Sequence, residues 1–258
     1  MKLPFLQRGR EVTPSVASHA DFPPLSGADI AGMIYGQRVG GDFYRFLRAN
    51  RCRVVFGLLD IAGSHDENHA IVSAARQTFD EIGNASFASE EINEADAMME
   101  FCLEMNLSIR RAASGVRSCS AFMGCYNEEL GTICYTNAGH TPGLLRDPSG
   151  VTELPATGLP LGLFSASTYE APTVALQPGA SLLLVSRGVV EAAYKREEFG
   201  LPRVKQQFER APLQSASDVA ALILEGVQQF TRAPAPLNDV TALALVRAAQ
   251  GRTAAASA

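Results

Sequence analysis

The sequence lacks the features of a membrane protein, a secreted protein or a nucleic-acid-binding protein. No run reaches the roughly 18 consecutive apolar residues of a membrane span, and residues 1–5 are not the start of a secretory signal. The chain has 22 lysines and arginines against 27 aspartates and glutamates, a formal net charge of -5. This balance gives no electrostatic reason to expect nucleic acid as a partner. We therefore expect a cytoplasmic protein with neither a membrane nor a nucleic acid as partner.

The five cysteines contain no C-x-x-C pair, and their number is odd. A disulfide framework or a structural zinc site is therefore not expected. Cys52 lies shortly before an apolar run at residues 54–56, a setting in which cysteine behaves as a small hydrophobic residue. Buried free thiols are the expected state.

The domain organisation is predicted from composition and from the absence of repeats. With 258 residues, 47% of them hydrophobic, the chain is long enough to bury a substantial core. Prolines interrupt any periodicity near the start, so residues 1–22 are predicted as a lead-in or linker. Residues 23–248 contain no internal linker and predict one domain, while residues 249–258 predict a disordered tail.

Short apolar runs separated by polar turns predict antiparallel strands. Residues 53–59 are rich in β-branched residues and predict a buried strand that ends at Asp60. Residues 30–35 and 43–47 flank two glycines and predict a hairpin. Further strands are expected at residues 120–126, 132–137, 181–185 and 240–246, with another hairpin through residues 147–150.

Helices interrupt these strands. Two are expected after residue 60, and in the second of them apolar side chains recur on one face, as in a core helix. That face consists of Met98, Phe101, Cys102, Met105 and Ile109. Three more helices are expected near residues 189–195, 203–210 and 216–231. Hairpins interrupted by helix pairs predict an α+β fold with antiparallel sheets.

Three aspartates lie at the ends of apolar strands. Asp42 follows two glycines, Asp60 ends the buried strand, and Asp239 begins the last one. A carboxylate there is partly desolvated and needs a partner, although each residue taken alone also suits a turn cap. Together they suggest a shared site for a hard cation, Mg²⁺ or Mn²⁺, since no nearby histidine pair favours zinc.

Six short segments follow one another along the chain. They are V-G-G-D-F-Y at residues 39–44, L-D-I-A-G at 59–63, Y-T-N-A-G-H at 135–140, G-L-P-L-G at 158–162, S-R-G-V-V-E-A at 186–192 and N-D-V-T at 238–241. In this order they resemble the motifs of PPM-type (protein phosphatase 2C-like), metal-dependent serine/threonine phosphatases, in the bacterial SpoIIE/RsbU-like branch.

The resemblance implies an α/β/β/α sandwich of two antiparallel sheets flanked by helices. It also implies a binuclear Mn²⁺ or Mg²⁺ centre whose water attacks a phosphoserine or phosphothreonine. Mapped motif by motif, Asp42 would bind one metal, Asp60 would bridge both with the Ile61 carbonyl adding an oxygen, and Asp239 would hold the second. Arg38 would bind the phosphate, or is an exposed surface arginine.

The chain departs from the family motifs at three places. Arg187 occupies the position of a metal-binding aspartate, Arg45 replaces an acid, and residues 64–69 replace a small glycine-containing turn. A guanidinium cannot act as a ligand. Arg187 either neutralises the aspartates in place of a metal or points outward while ions bind through water.

Histidines allow a second interpretation of the segment after Asp60. His65 and His69 are four residues apart and, with Asp66, resemble a replacement metal set. A helix cap and a solvated first turn are the preferred interpretation. His140 is expected to hold the turn between two strands.

Two functional interpretations follow. The first is a phosphatase that acts on a phosphorylated regulatory protein, such as an anti-sigma-factor antagonist. The second is a catalytically impaired family member that binds a phosphoprotein or another partner without hydrolysis, because Arg187 removes a metal ligand. The sequence does not specify the oligomeric state.

Overall fold

The computed structural model describes residues 15–16, 22, 25–35, 41–63, 65–113, 115, 117–232 and 239–249. The predicted lead-in and tail fall almost wholly outside these residues, so the domain boundaries stay predictions. Ser15 and Val16 form a short strand that pairs with Ile34 and Met33.

The described residues form strands and helices that alternate in groups along the chain. In order they are β1 (Ser15–Val16), β2 (Ala28–Tyr35), β3 (Phe43–Arg48), β4 (Arg53–Ile61), α1 (His65–Phe87), α2 (Glu94–Ala112), β5 (Cys119–Asn127), β6 (Thr132–Ala138), β7 (Gly143–Asp147), β8 (Gly150–Leu154), β9 (Thr173–Ala175), β10 (Ser181–Val185), α3 (Arg187–Val190), β11 (Ala193–Tyr194), β12 (Glu197–Glu198), α4 (Gly200–Arg210), α5 (Ala216–Thr231) and β13 (Val240–Arg247).

Two antiparallel sheets make up the centre of the molecule. The first sheet has the strand order β1-β2-β13-β10-β7-β8, and the second has the order β3-β4-β5-β6-β9. Helices α1 and α2 pack on the second sheet, while α4 and α5 pack on the first. The predicted α/β/β/α sandwich is confirmed.

The hydrophobic core has three layers because strands alternate their side chains between two faces. One layer lies between the second sheet and α1–α2, and includes the predicted face of α2. Another lies between the first sheet and α4–α5. The third lies between the sheets, where Phe56 and Leu58 of β4 meet Leu184 of β10 and Leu243 of β13.

Two local predictions are wrong. Residues 30–35 and 43–47 do not form a hairpin, because β2 pairs with β1 and β13 while β3 pairs with β4 in the other sheet. Residues 189–195 do not form one helix, because α3 ends at Val190 and the chain continues into the two-stranded ladder of β11 and β12.

All five cysteines are free and buried, as predicted. Burial raises the pKa of the Cys134 thiol to about 11. None of the helices in the described part of the chain combines the length and apolar character needed to cross a membrane.

A buried ion pair connects β4 with the start of α2, and its arginine also bonds the loop that precedes this helix. The guanidinium of Arg53, which is 6% exposed, donates to Glu94 Oε1 at 2.6 Å and to the carbonyl oxygens of Ser89 and Glu90 at 2.8 and 3.1 Å. Asn127 of β5 donates to the same Glu94 oxygen at 2.7 Å. The pair is therefore satisfied by several hydrogen bonds in a dry setting.

We expect Arg53→Ala to lower the free energy of unfolding by about 3 kcal/mol, because Glu94 would remain buried without its cation. Urea denaturation measures the difference. Arg51→Ala is the matched control, since Arg51 forms its ion pair with Glu90 while 69% exposed, and it should cost less than about 1 kcal/mol. Equal losses in the two variants would contradict the assigned role of burial.

Candidate active site

The alternation of side chains brings the three predicted aspartates to one end of the inter-sheet layer. In β4 the even-numbered Phe56 and Leu58 face the other sheet, and Asp60 continues that row. In β13 Leu243 and Leu245 face the other sheet, and Asp239, which directly precedes the strand, continues their row. Two rows of apolar side chains thus end in carboxylates.

Strand register brings Asp42 close to Asp60. Phe43 of β3 pairs with Leu59 of β4. Asp42, which precedes β3, is therefore a neighbour of Asp60, which lies near the end of β4. The backbones approach closely here: a Cβ on Gly41 would lie 2.6 Å from the Ile61 carbonyl oxygen. Only glycine fits at position 41 without a shift of the backbone, which explains the second glycine of the motif.

Hydroxyl groups from the first sheet hold Asp42 of the second. Thr241 Oγ1 donates to Asp42 Oδ2 at 2.8 Å, and the Ser186 hydroxyl also bonds the carboxyl. Ser186 in turn accepts the Thr241 main-chain N–H at 3.1 Å. Burial, with Asp60 nearby, raises the pKa of Asp42 to about 7 despite these two hydrogen bonds.

Among the described residues, Arg187 supplies the cation that pairs with Asp60. Burial raises the pKa of Asp60, whereas the charge of Arg187 and its main-chain N–H, which donates to the carboxylate, act to lower it. The guanidinium Nε lies 3.9 Å from Asp60 Oδ2 and 3.7 Å from Glu191 Oε1. The side chain is 56% exposed, so it is neither enclosed among the aspartates nor pointed away from them.

The charged groups of the site line one cavity of about 180 Å³. Its wall includes Asp42, Asp60, Asp239, Arg187 and Glu191. The structure therefore brings the three predicted aspartates together with the arginine that replaces a fourth, and adds a glutamate that the sequence analysis left without a role.

The donor atoms of the cavity suit a hard cation. They are carboxylate oxygens and the carbonyl of Ile61, which accepts one hydrogen bond, from Asn68 at 3.1 Å, and retains a second lone pair. Across the described residues, no three acidic, histidine or cysteine side chains converge as ligands of one ion. The set therefore fits an ion held by one or two carboxylates and completed by water, as Mg²⁺ commonly is.

Of the other residues singled out in the sequence, Arg45 and His140 do not line the cavity. Arg38 falls outside the described residues. Arg45 forms a two-pronged ion pair with Asp80 of α1, at 2.8 and 2.6 Å, and does not line the cavity. His140 is buried, as expected for a turn residue: its N–H donates to Asn137 Oδ1 at 2.8 Å, and burial lowers its pKa to about 4.

The metal set suggested by His65, Asp66 and His69 is not tested, because the structure describes the side chain of only His69 among them. Helix α1 begins at His65, in agreement with the preferred interpretation of a helix start, and His69 is exposed. The side chains of residues 65–67 lie outside the described part of the structure, so the expected cap stays a prediction.

Sequence analysis missed three residues of the site. Ser186 and Thr241 belong to the recognised motifs, but a hydroxyl carries no sign of which carboxylate it will meet across two sheets. Glu191 is also within a motif, and its spacing of four from Arg187 on a helix was a usable signal.

We expect Asp42→Asn to stabilise the metal-free protein increasingly as pH rises from about 4 to 7. The folded state holds the Asp42 proton more tightly than the unfolded state, whose pKa is near 3.8, so the parent loses stability over this range. The gain at pH 8 should be on the order of 2 kcal/mol. Denaturation in excess chelator measures this gain in stability. His140 is present in both proteins, so its contribution to the pH dependence does not affect the difference. A pH-independent difference would contradict the pKa assignment.

Comparison with known proteins agrees with this geometry. Residues 50–248 match the family described as Stage II sporulation protein E (SpoIIE). Phosphoserine phosphatase RsbP of Bacillus subtilis is 23% identical over 154 residues, which are 59% of this chain and 37% of that protein. The chain spans less than two fifths of the length of the curated relatives it matches first.

Solved structures share the fold. The RsbU and RsbW domains of a Mycobacterium tuberculosis protein superpose with a TM-score of 0.72 and 21% identity, covering 89% of this chain and 64% of that one. RsbX in complex with magnesium gives a TM-score of 0.61 and 15% identity, covering 90% and 98%. With a family match over most of its length, the chain belongs to the SpoIIE family.

Proposed function

We propose that this protein is a metal-dependent phosphatase that removes phosphate from serine or threonine of a bacterial regulatory protein, such as an anti-sigma-factor antagonist. The observation that carries the proposal is the single cavity in which Asp42, Asp60 and Asp239 meet at the end of the inter-sheet layer. Its family membership and its similarity to the phosphoserine phosphatase RsbP support the proposal.

The proposed cofactor is Mn²⁺ or Mg²⁺, in keeping with the oxygen donors of the cavity and with RsbX, whose structure was determined with magnesium. Asp42, Asp60 and the Ile61 carbonyl would hold the ion on one side of the cavity, and Asp239 would face it from the other. When bound, such an ion lowers the pKa of water and neutralises charge on phosphoryl oxygens.

The chain's own residues prepare this site. Thr241 and Ser186 orient the Asp42 carboxylate by donating to it, and the main-chain N–H of Arg187 does the same for Asp60. Fixed carboxylates lose little freedom when a cation or substrate binds. Arg38, just upstream of the glycines, is proposed as a phosphate-binding residue.

A second candidate function is phosphoprotein or partner binding without hydrolysis. The observation that favours it is the guanidinium of Arg187, a permanent cation 3.9 Å from Asp60 at the position of a family metal ligand. Positive charge at this distance opposes a divalent ion by several kcal/mol even at an effective dielectric near 20. Metal affinity therefore decides between the two functions.

We expect hydrolysis of p-nitrophenyl phosphate and of a phosphoserine peptide that depends on millimolar Mn²⁺. Asp60→Asn should lower the rate by about 100-fold, because it removes a carboxylate from the proposed ion. Asp80→Asn is the control. Asp80 of α1 pairs with Arg45 of β3, away from the cavity, so this substitution should leave the rate unchanged. Activity that persists in Asp60→Asn would overturn the assigned site.

Arg187→Asp separates the two functions. It supplies a carboxylate and removes the competing charge, so Mn²⁺ should bind at least about tenfold more tightly and hydrolysis should be faster. Without metal the variant should be less stable, because five acids then repel one another. Calorimetric Mn²⁺ titration and denaturation in chelator test both effects. Unchanged Mn²⁺ affinity and rate would show that Arg187 lies outside the metal site.

A further inference from the structure

The guanidinium of Arg187 is close to two carboxylates without forming a hydrogen bond to either. Its Nε lies 3.9 Å from Asp60 and 3.7 Å from Glu191, whereas charge-assisted hydrogen bonds measure about 2.7–2.9 Å. Arg45 provides an internal comparison: its two prongs reach Asp80 at 2.8 and 2.6 Å. Arg45 forms a closed ion pair, and Arg187 keeps donors available for another oxyanion.

The backbone of Arg187 is fixed although its side chain is not. Its main-chain N–H donates to Asp60. The residue before it, Ser186, is buried and donates its own N–H to the Thr241 carbonyl at 2.9 Å. The side chain therefore starts from an anchored point on the cavity wall and extends towards the exposed mouth, 56% accessible to solvent.

The charges of the cavity also favour a cationic side chain as a binding group for phosphate. Among the described residues its wall has four carboxylates, from Asp42, Asp60, Asp239 and Glu191, and one cationic side chain, Arg187. A phosphate monoester brings up to two more negative charges. A single divalent ion cannot compensate all of these, and a guanidinium, whose planar donors match two phosphate oxygens, is the side chain best suited to help.

We propose that Arg187 binds the phosphoryl group of the substrate, so that one divalent ion and one guanidinium act where the family motif would place two ions. Glu191, four residues further along, lies beside the guanidinium, with its Oε1 3.7 Å from Nε. The inference rests on the proposed function and goes beyond it, because it gives the residue that departs from the motif a substrate-binding role.

The proposal and its rival predict opposite effects of Arg187→Ala on the affinity for phosphate. If Arg187 only blocks a metal position, removing it should improve the binding of both Mn²⁺ and phosphate. If Arg187 binds the phosphoryl group, Arg187→Ala should bind Mn²⁺ more tightly, because a repelling charge is gone, but should bind phosphate about tenfold more weakly.

Isothermal titration calorimetry of the whole chain measures both affinities. Mn²⁺ is titrated into metal-free protein, and inorganic phosphate is titrated into protein saturated with Mg²⁺, which avoids precipitation of manganese phosphate. We expect one Mn²⁺ per chain in the parent and two in Arg187→Asp. Arg187→Lys, which keeps the charge but not the fork, should bind phosphate with an affinity between those of the parent and Arg187→Ala.

Arg45→Ala is the matched control, because Arg45 is 46% exposed, also pairs with an aspartate and lies outside the cavity. It should change neither affinity. Phosphate binding by Arg187→Ala that equals or exceeds that of the parent overturns this inference and leaves the phosphatase proposal standing. If neither the parent nor Arg187→Asp binds a divalent ion, the phosphatase proposal itself fails.

Discussion

The antiparallel pairing of β10 with β13 connects the core of the protein with its cavity. Leu184 and Leu243 are paired across these strands and face the second sheet. One step further along, Ser186 and Thr241 exchange main-chain and hydroxyl hydrogen bonds, and both hydroxyls reach Asp42 of the other sheet. A shift of β13 by one residue in this register would turn the Thr241 hydroxyl to the opposite face of the sheet and remove one of the two hydroxyl donors to Asp42.

This dependence explains why buried carboxylates are tolerated at the end of the sandwich. An acid there loses hydration, and the two sheets provide only neutral donors for Asp42, so its proton is held until about pH 7. Asp60 differs because it receives a main-chain N–H and faces a guanidinium. The described groups of the cavity therefore carry more negative than positive charge. A bound cation would stabilise carboxylates that folding has already desolvated.

The sequence predicted most of the fold and the three acids, and its errors share one physical cause. Strand β4 and the buried face of α2 follow from local periodicity, and those predictions were confirmed. The prediction of a hairpin between β2 and β3 was wrong. Which strands pair depends on long-range contacts across a whole sheet. Two glycines in the sequence are compatible with a connection between sheets as well as with a turn. The roles of Ser186 and Thr241 depend on the same long-range register.

The replacement of an acid by Arg187 changes the charge of the cavity by two units, which is more than the loss of a ligand. A metal ion leaves when its concentration falls, whereas a guanidinium is covalently attached and stays charged at every physiological pH. Recognition of a phosphoryl group by Arg187 would therefore persist at low metal concentration, while activation of water requires the ion. By this proposal binding and hydrolysis would depend on different cations in the same cavity, and the concentration of divalent metal would set which of the two activities the protein performs.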